Sequence, residues 1–537
     1  MGQTQKLRAR LSGCSVLCII AFVCAAKISA QSRPSLGQNS HHAGTNAPPA
    51  ERPDVVRFRR RVETALGAPG PDKGFWGVLV TDATTGEVLY ARNEGNYFAP
   101  ASNAKLFTTA LALATLGPNH RTRTTLAASG AIDGSGVLNG DLVLTGSGDA
   151  NLSNRVFPYE KRPERKGPPE KALADFADAV AARGVKEITG NVVVDDSLFQ
   201  PERFPSGWAI DDMQWSYGGA VSAIVFNDNT FTIELWPGDR EGDPARYDAG
   251  LASDYYTVEN SVLTTARGTA EQLKVTRDPG SMLIRMTGTL PAGSNPRILS
   301  LAVEQPAEYA ATLLTHLLVL RGVKTEGAAR TRHFGDPPLP VSPDQTVLLD
   351  RISVPLSDDV RLTNKESENI HAELMLLLAA HEKTGATTYE DALKFATGFY
   401  TSAGIAESDI VLSDGSGLSR KDMVTPRAIV QILRYATSQP WADLYRLSLP
   451  VAGEDGTLSG RMKNTPAAGR VFAKTGTIGH VNALSGYATT LSGAHLIFSI
   501  VGNNNNLKAQ AADAVLDAIA NAMVEELGPA TEKKRKK

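Results

Sequence analysis

Two hydrophobic rhythms alternate along the chain, and the places where one replaces the other divide it. Residues 55–68 carry apolar positions at helical spacing among basic ones, an amphipathic helix packed on its own domain. Residues 77–82 and 87–91 read as strands joined through 83–86 in a hairpin. Directly after them, Pro100 and Ala101 lead into a stretch that is apolar on nearly every side over 106–116, until Gly117-Pro118 stops it. A helix of that kind belongs in the middle of a domain. From 120 to 346 the texture changes to short β-like runs with Gly and Pro punctuation, such as 140–145, 190–195, 230–235 and 281–286, with helices over 172–183 and 308–321. The rhythm of the 106–116 helix does not continue there, so this stretch reads as an inserted β-rich module, one or two domains, between the halves of another. Near Leu348 the first texture resumes, with helices over 370–380, 389–403 and 425–435 and a glycine-punctuated loop over 413–420. An antiparallel series over 470–477, 481–490 and 495–501 and a helix over 507–527 close the chain. Early and late strands are expected to share one sheet, with the 106–116 helix packed beneath.

Composition narrows the setting and the partners. With 537 residues, 42% hydrophobic and 21% charged, the chain can bury several cores. A net charge of −2 leaves no basic excess for phosphates, which argues against nucleic acid as a partner. Only the end of the 528–537 tail is strongly basic, as a solvated terminus is. At the other end, Lys6, Arg8 and Arg10 precede an apolar run over 11–26 and the small-residue site Ile28-Ser29-Ala30, the three parts of an export signal over residues 1–30. Cleavage after Ala30 is the expectation and an uncleaved anchor the alternative, so the mature chain is expected in the periplasm. All three cysteines, Cys14, Cys18 and Cys24, lie inside the signal, which leaves no disulfide or thiol chemistry to the mature chain. Residues 31–54, rich in Pro, Ser, Asn and Gly, follow as a flexible linker. His41-His42 within it reads as incidental, and no H-E-x-x-H occurs, so neither a metal nor a cofactor is expected.

The chemistry centres on Ser102-Asn103-Ala104-Lys105, at the entry to the apolar helix. A spacing of i and i+3 puts hydroxyl and amine on one face of the helix's first turn. A serine is a poor nucleophile until a base takes its proton, and a lysine buried against apolar walls loses enough basicity to be that base. A capping serine and a surface lysine would leave the same four letters. Farther on, Ser367-Glu368-Asn369 stands at a loop–helix junction, where side chains point into a cleft. Lys474-Thr475-Gly476 stands in a strand followed by its hairpin partner. Gly146-Ser147-Gly148-Asp149 is faintly like a nucleotide loop but lacks the Lys-Ser/Thr ending and a following helix, and reads as a turn.

Ser102-x-x-Lys105, Ser367-x-Asn369 and Lys474-Thr475-Gly476, in that order, resemble the motif set of the penicillin-binding proteins and serine β-lactamases. The large insert, the run Gly207-Trp208-Ala-Ile-Asp-Asp212-Met213, the loop 414–420 and the segment 449–457 are similar to the class C low-molecular-mass penicillin-binding proteins. These are the type-4 D-alanyl-D-alanine carboxypeptidases/endopeptidases, and the resemblance extends over almost everything from 55 to 527. It implies a multi-domain α+β fold: a transpeptidase-like domain with a central antiparallel sheet and helices on both sides, formed by 55–119 and 347–527, plus the β-rich insert 120–346.

It also implies hydrolysis of peptidoglycan stem peptides through an acyl-enzyme, with β-lactams as covalent inhibitors. By the resemblance, Ser102 attacks the carbonyl of the penultimate D-alanine and Lys105 accepts its proton. Ser367 sits between Lys105 and the leaving amine, and Asn369 positions the acyl side's amide. Lys474 adds positive potential that lowers the pKa of the neighbouring amine and attracts the terminal carboxylate, to which Thr475 and Thr477 offer hydroxyls. Gly476 completes the third motif, and the N–H groups of Ser102 and Thr477 form the oxyanion hole. Asp212 matches an aspartate that reaches the amino group of the peptide's diamino acid, and Arg420 matches a residue lining the cleft. A surface carboxylate and a structural ion pair are the alternatives for these two, and Asp211 competes with Asp212. Gly479-His480 departs from the family pattern just after the third motif. From a different class of function, a catalytically idle relative that binds cell-wall peptide or partner proteins is the competing reading.

Overall fold

The hairpin and the late strands come together in one five-stranded sheet in the computed structural model, which describes residues 51–340 and 343–528. Across the sheet the order is Val88–Arg92, Phe75–Asp82, His495–Asn503, Val481–Thr489 and Val471–Ile478, every neighbour antiparallel. Successive side chains of a strand point to opposite faces, and here both faces are buried. Val78, Val80, Leu484, Phe498 and Ile500 pack on one side against Phe58 and Val62 of the helix Pro53–Leu66 and Leu516 and Met523 of the helix Ala509–Glu526. Leu79, Ala483, Tyr487, Ile497 and Val501 pack on the other against Leu106, Phe107 and Leu111 of the helix Ala104–Leu116 and Ile429 and Leu433 of Pro426–Thr437. That double burial makes these strands nearly continuous hydrophobic runs.

The helix Ala104–Leu116 is buried from Ala104 through Leu113, as its unbroken apolar character requires. Asn369–Thr384 lies against it and is buried from Ile370 to Ala380. Between these two parts of the chain a separate hydrophobic cluster forms around the helices Lys171–Ala182 and Pro306–Leu320. A second five-stranded sheet flanks it, in the order Ala329–Arg332, Val192–Asp195, Leu142–Thr145, Arg123–Ala128 and Thr346–Ile352. Its last strand begins at residue 346, the expected end of the insert, and pairs antiparallel with Arg123–Ala128.

The architecture is therefore α+β, with the central antiparallel sheet covered on both sides. Some details depart from the sequence reading. The first helix begins at Pro53, so Pro53 and Asp54 of the expected linker are already helical. Leu356–Glu366 and Ala442–Ser448 are helices that hydrophobic rhythm did not reveal. Leu356–Glu366 buries Leu356, Val360 and Leu362 among many polar residues, so Ser367 sits at an elbow between two helices and not at the end of a loop. The export signal, residues 31–50 of the linker and residues 529–537 of the tail lie outside the described residues.

Candidate active site

Ser102 is carried by a single 3₁₀ turn, Ala101–Asn103, that runs into the α-helix at Ala104. In a 3₁₀ turn residues i and i+3 eclipse, which brings Lys105 Nζ to 3.0 Å from Ser102 Oγ. Ala101, fully buried, holds a left-handed φ of 46°, a strained conformation for a residue with a side chain. Two neighbours explain why it persists. A Cβ on Gly476 would stand 2.8 Å from Pro100 O and 3.2 Å from Ala101 Cβ, and one on Gly417 would stand 1.9 Å from Ala101 O. The turn is thus pressed between the third-motif strand and the 413–420 loop, and only glycine lets both backbones approach so closely.

Lys105 is fully buried. Its Nζ donates to Asn369 Oδ1 at 2.6 Å and to the Ser416 carbonyl at 2.7 Å. Burial draws its pKa down to about 8, against the opposing pull of Asp414, Glu373, Glu368 and Asp422. An uncharged amine has two N–H donors and one lone pair. With both donors taken by neutral carbonyl oxygens, the lone pair is left for the Ser102 hydroxyl.

The Ser416 carbonyl owes its position to Asp414. That buried carboxylate accepts from Gly417 N and Ser419 N, each at 2.7 Å, winding the loop around itself, and from Trp208 Nε1 at 2.9 Å. Two of the segments singled out in the sequence, 207–213 and 414–420, therefore meet directly.

Lys474 Nζ donates to Ser367 Oγ and to its neighbour's carbonyl, Thr475 O, both at 2.9 Å. Burial pushes its pKa well down, and a charge on Lys105 pushes it further. Of the two causes the sequence offered for a lowered pKa at Lys105, its own burial and the nearby Lys474, burial is the main one. Ser367, expected between Lys105 and the leaving group, is bonded to Lys474, and Lys105 reaches the second motif through Asn369. Ser367 holds φ 65° as it ends the helix Leu356–Glu366, and Asn369 opens the next helix with its Nδ2 donating to Tyr217 O at 2.7 Å.

These groups wall a cleft of about 590 Å³. Ser102, Ser367, Asn369, Thr477, Asp212 and Arg420 all line it. Lys105 and Lys474 lie buried behind Ser102 and Ser367. Thr475 is buried, and its hydroxyl pairs with Thr457 Oγ1 at 2.8 Å. Asp212 Oδ1 accepts from Tyr217 Oη at 2.9 Å, while Oδ2 is buried with no hydrogen-bond partner and lies 3.9 Å from Arg420 Nη2. Asp211 is exposed and does not line the cleft, which separates the two adjacent aspartates. Arg420 Nη1 donates to Gly479 O at 3.2 Å. Tyr217 and Ser416 escaped sequence reasoning, since both reach the motif residues through main-chain carbonyls that no side-chain pattern betrays.

Comparison with known proteins places this geometry. The chain is 36% identical over 485 residues to a D-alanyl-D-alanine carboxypeptidase of Actinomadura sp. (strain R39), covering 88% of this chain and 86% of the relative. It is 25% identical over 438 residues to the D-alanyl-D-alanine carboxypeptidase DacB of Haemophilus influenzae, covering 80% and 85%. The crystal structure of penicillin binding protein 4 (dacB) from Haemophilus influenzae shares the fold, with a TM-score of 0.73 at 24% identity over 87% of this chain and 98% of that one. The same fold is matched in its complex with a β-lactam, with a TM-score of 0.69 at 22% identity over 88% and 99% of the two chains. A family model matches residues 59–525, and the chain belongs to the D-Ala-D-Ala carboxypeptidase 3 (S13) family.

Proposed function

We propose that this serine-type D-alanyl-D-alanine carboxypeptidase cleaves peptidoglycan stem peptides, and the cross-links between them, through an acyl-enzyme on Ser102. The observation that carries the reading is the arrangement at Lys105: a buried amine, both donors engaged by neutral carbonyls, 3.0 Å from a hydroxyl that opens onto the cleft. Lys105 takes the Ser102 proton as Oγ attacks the carbonyl carbon of the penultimate D-alanine. The oxyanion forms against the N–H groups of Ser102 and Thr477. As the peptide C–N bond breaks, the proton that Lys105 took passes by way of Ser367 to the leaving nitrogen, which leaves Lys105 neutral again. Water then attacks the ester, freeing the shortened peptide and restoring Ser102. Thr477 offers its hydroxyl to the terminal carboxylate, Lys474 adds its potential from behind Ser367, and Asp212, whose Oδ2 accepts no hydrogen bond, offers a carboxylate to the amino group of a diamino acid. A β-lactam, whose leaving group stays tethered, acylates Ser102 and persists.

In this reading 55–119 and 347–527 form the catalytic domain and 120–346 the insert. The signal at residues 1–30 sends the chain to the periplasm, where the polymer is. No helix among the described residues is long and apolar enough to cross a membrane. The decisive experiment is labelling with a fluorescent penicillin. The full chain should carry one covalent adduct and Ser102→Ala none; absence of an adduct on the unaltered chain overturns the reading. Mass spectrometry of digested muropeptides then separates loss of one alanine, carboxypeptidase action, from conversion of dimers to monomers, endopeptidase action.

A further inference from the structure

Ser367 is a non-glycine residue in the left-handed region, and such a conformation persists only where the surroundings over-determine it. Its two neighbours are carboxylates, and both are gripped by a single segment of the 120–346 stretch. Glu366 accepts a hydrogen bond from Tyr159 Oη, and Glu368 accepts one from Arg155 Nη2. Neither donor is a surface group: Tyr159 is buried, and the Arg155 side chain is 5% exposed.

Arg155 is fixed in turn. Its Nη1 donates to Asp228 Oδ1, while Asp228 Oδ2 accepts from Arg165 Nη2 at 2.8 Å. His371, two residues beyond Asn369, donates from Nε2 to the same Asp228 at 3.1 Å, and its Nδ1 lies 2.6 Å from Asp359 Oδ1. Asp228 is itself the centre of three consecutive left-handed residues, with φ of 47° at Asn227, 59° at Asp228 and 49° at Asn229. That turn is pinned by Asn229, which accepts from Phe226 N at 3.0 Å and donates to Ala220 O at 2.9 Å. Two strained segments thus face each other through one guanidinium. A buried ionic cluster contributes little net stability compared with an apolar core of the same size, but it fixes geometry. The geometry fixed here is that of the residues on either side of Ser367.

We propose that Tyr159 and Arg155 are positioning residues for acyl transfer, which from outside the catalytic sheet hold Glu366 and Glu368 and so keep Ser367 aimed at Lys474. The proposal rests on Ser102 being the residue acylated. The insert is then part of the catalytic device as well as a wall of the cleft, because the second motif takes its shape from it.

The test is the rate at which the full chain is acylated by a fluorescent penicillin. Tyr159→Phe, which removes one hydroxyl, should slow acylation roughly tenfold, with the thermal unfolding midpoint lowered by no more than about a few degrees. In a Ser367→Ala background the same change should have no further effect, since the group it positions is gone. Arg155→Gln should slow acylation at least as much, and Arg155→Lys should recover part of the rate. Should the Arg155 variants fail to fold, Tyr159→Phe decides alone. An unchanged rate in Tyr159→Phe, or equal slowing with and without Ser367, overturns the proposal. An unaltered chain that takes no label at Ser102 overturns the nucleophile assignment and this proposal with it, a result distinguishable from the other two.

Discussion

Lys105 and Lys365 are buried alike, 0% and 1% exposed, yet the molecule uses them in opposite ways. Lys365 donates to both oxygens of Asp455, at 2.7 and 2.6 Å, and to Leu449 O at 2.6 Å. Lys105 meets only an amide oxygen, a peptide carbonyl and a hydroxyl. Burial lowers the pKa of both, but at Lys365 the carboxylate beside it opposes that effect directly, while at Lys105 the carboxylates act only from a distance. The counter-ion, not the degree of burial, separates a charged strut from an amine that can shed its proton and act as a base. The strut has its own task. It ties the 449–457 segment to the end of the helix that delivers Ser367, and a Cβ on Gly456 would stand 2.7 Å from Lys365 O.

Removing one member from each site should sharpen the contrast most. Lys105→Met is expected to slow acylation of Ser102 by about a thousandfold, within the range for loss of a general base, while the chain loses no more than about 1–2 kcal/mol of stability, because two carbonyl oxygens lose a donor but no unpaired charge is left behind. Asp455→Asn should do the reverse. It strands the Lys365 ammonium, and denaturant unfolding should register a loss of about 3–5 kcal/mol. Lys365→Met combined with Asp455→Leu should recover most of it. A loss under about 1 kcal/mol for Asp455→Asn would mean that Lys365 carries no charge, and the comparison between the two lysines would collapse.

The same contrast governs pH. Acylation should climb about tenfold per pH unit and level off above about 8, where Lys105 sheds its proton. In the unfolded chain this lysine returns to 10.5, so between about 8 and 10.5 the unfolded state binds a proton that the native state does not. Stability therefore rises with pH across that window, and Lys105→Met should abolish the rise. A pH–rate profile of Asp455→Asn should keep its midpoint, since Asp455 acts on the other amine.

The two lysines also mark how far the sequence could be read. Ser102 lies three residues from Lys105, so the pair is legible from spacing. The partners at 365 and 455 are ninety residues apart, and although 455 falls in the segment 449–457 cited for family likeness, nothing local says that the two touch. The central sheet was legible because it is buried on both faces and its strands are apolar runs. The helix Leu356–Glu366 was not, because three buried apolar residues among eight others leave a weak rhythm. Thr475, Ser367 and Lys474 can be picked out as motif residues, but which of them touch whom depends on strand register and on an elbow at φ 65°, and neither is written in residue types.

The smallest predicted effect tests how the neutral site at Lys105 is kept neutral. Ser416 presents its carbonyl because Asp414 gathers two backbone N–H groups of the loop, and the indole of Trp208 donates to the same carboxylate from outside that loop. Trp208→Phe keeps most of the ring packing and deletes that one bond, so it should cost about 1–2 kcal/mol of stability. Because the carboxylate retains both backbone donors, the loop should keep its path and acylation should slow only a few-fold. The pH profile shows what the indole does: with the carboxylate still held by both backbone donors, the midpoint set by Lys105 should stay at about 8. A midpoint that moves up would mean that the freed Asp414 oxygen has turned toward the amine, and that Trp208 is what keeps a counter-ion away from Lys105.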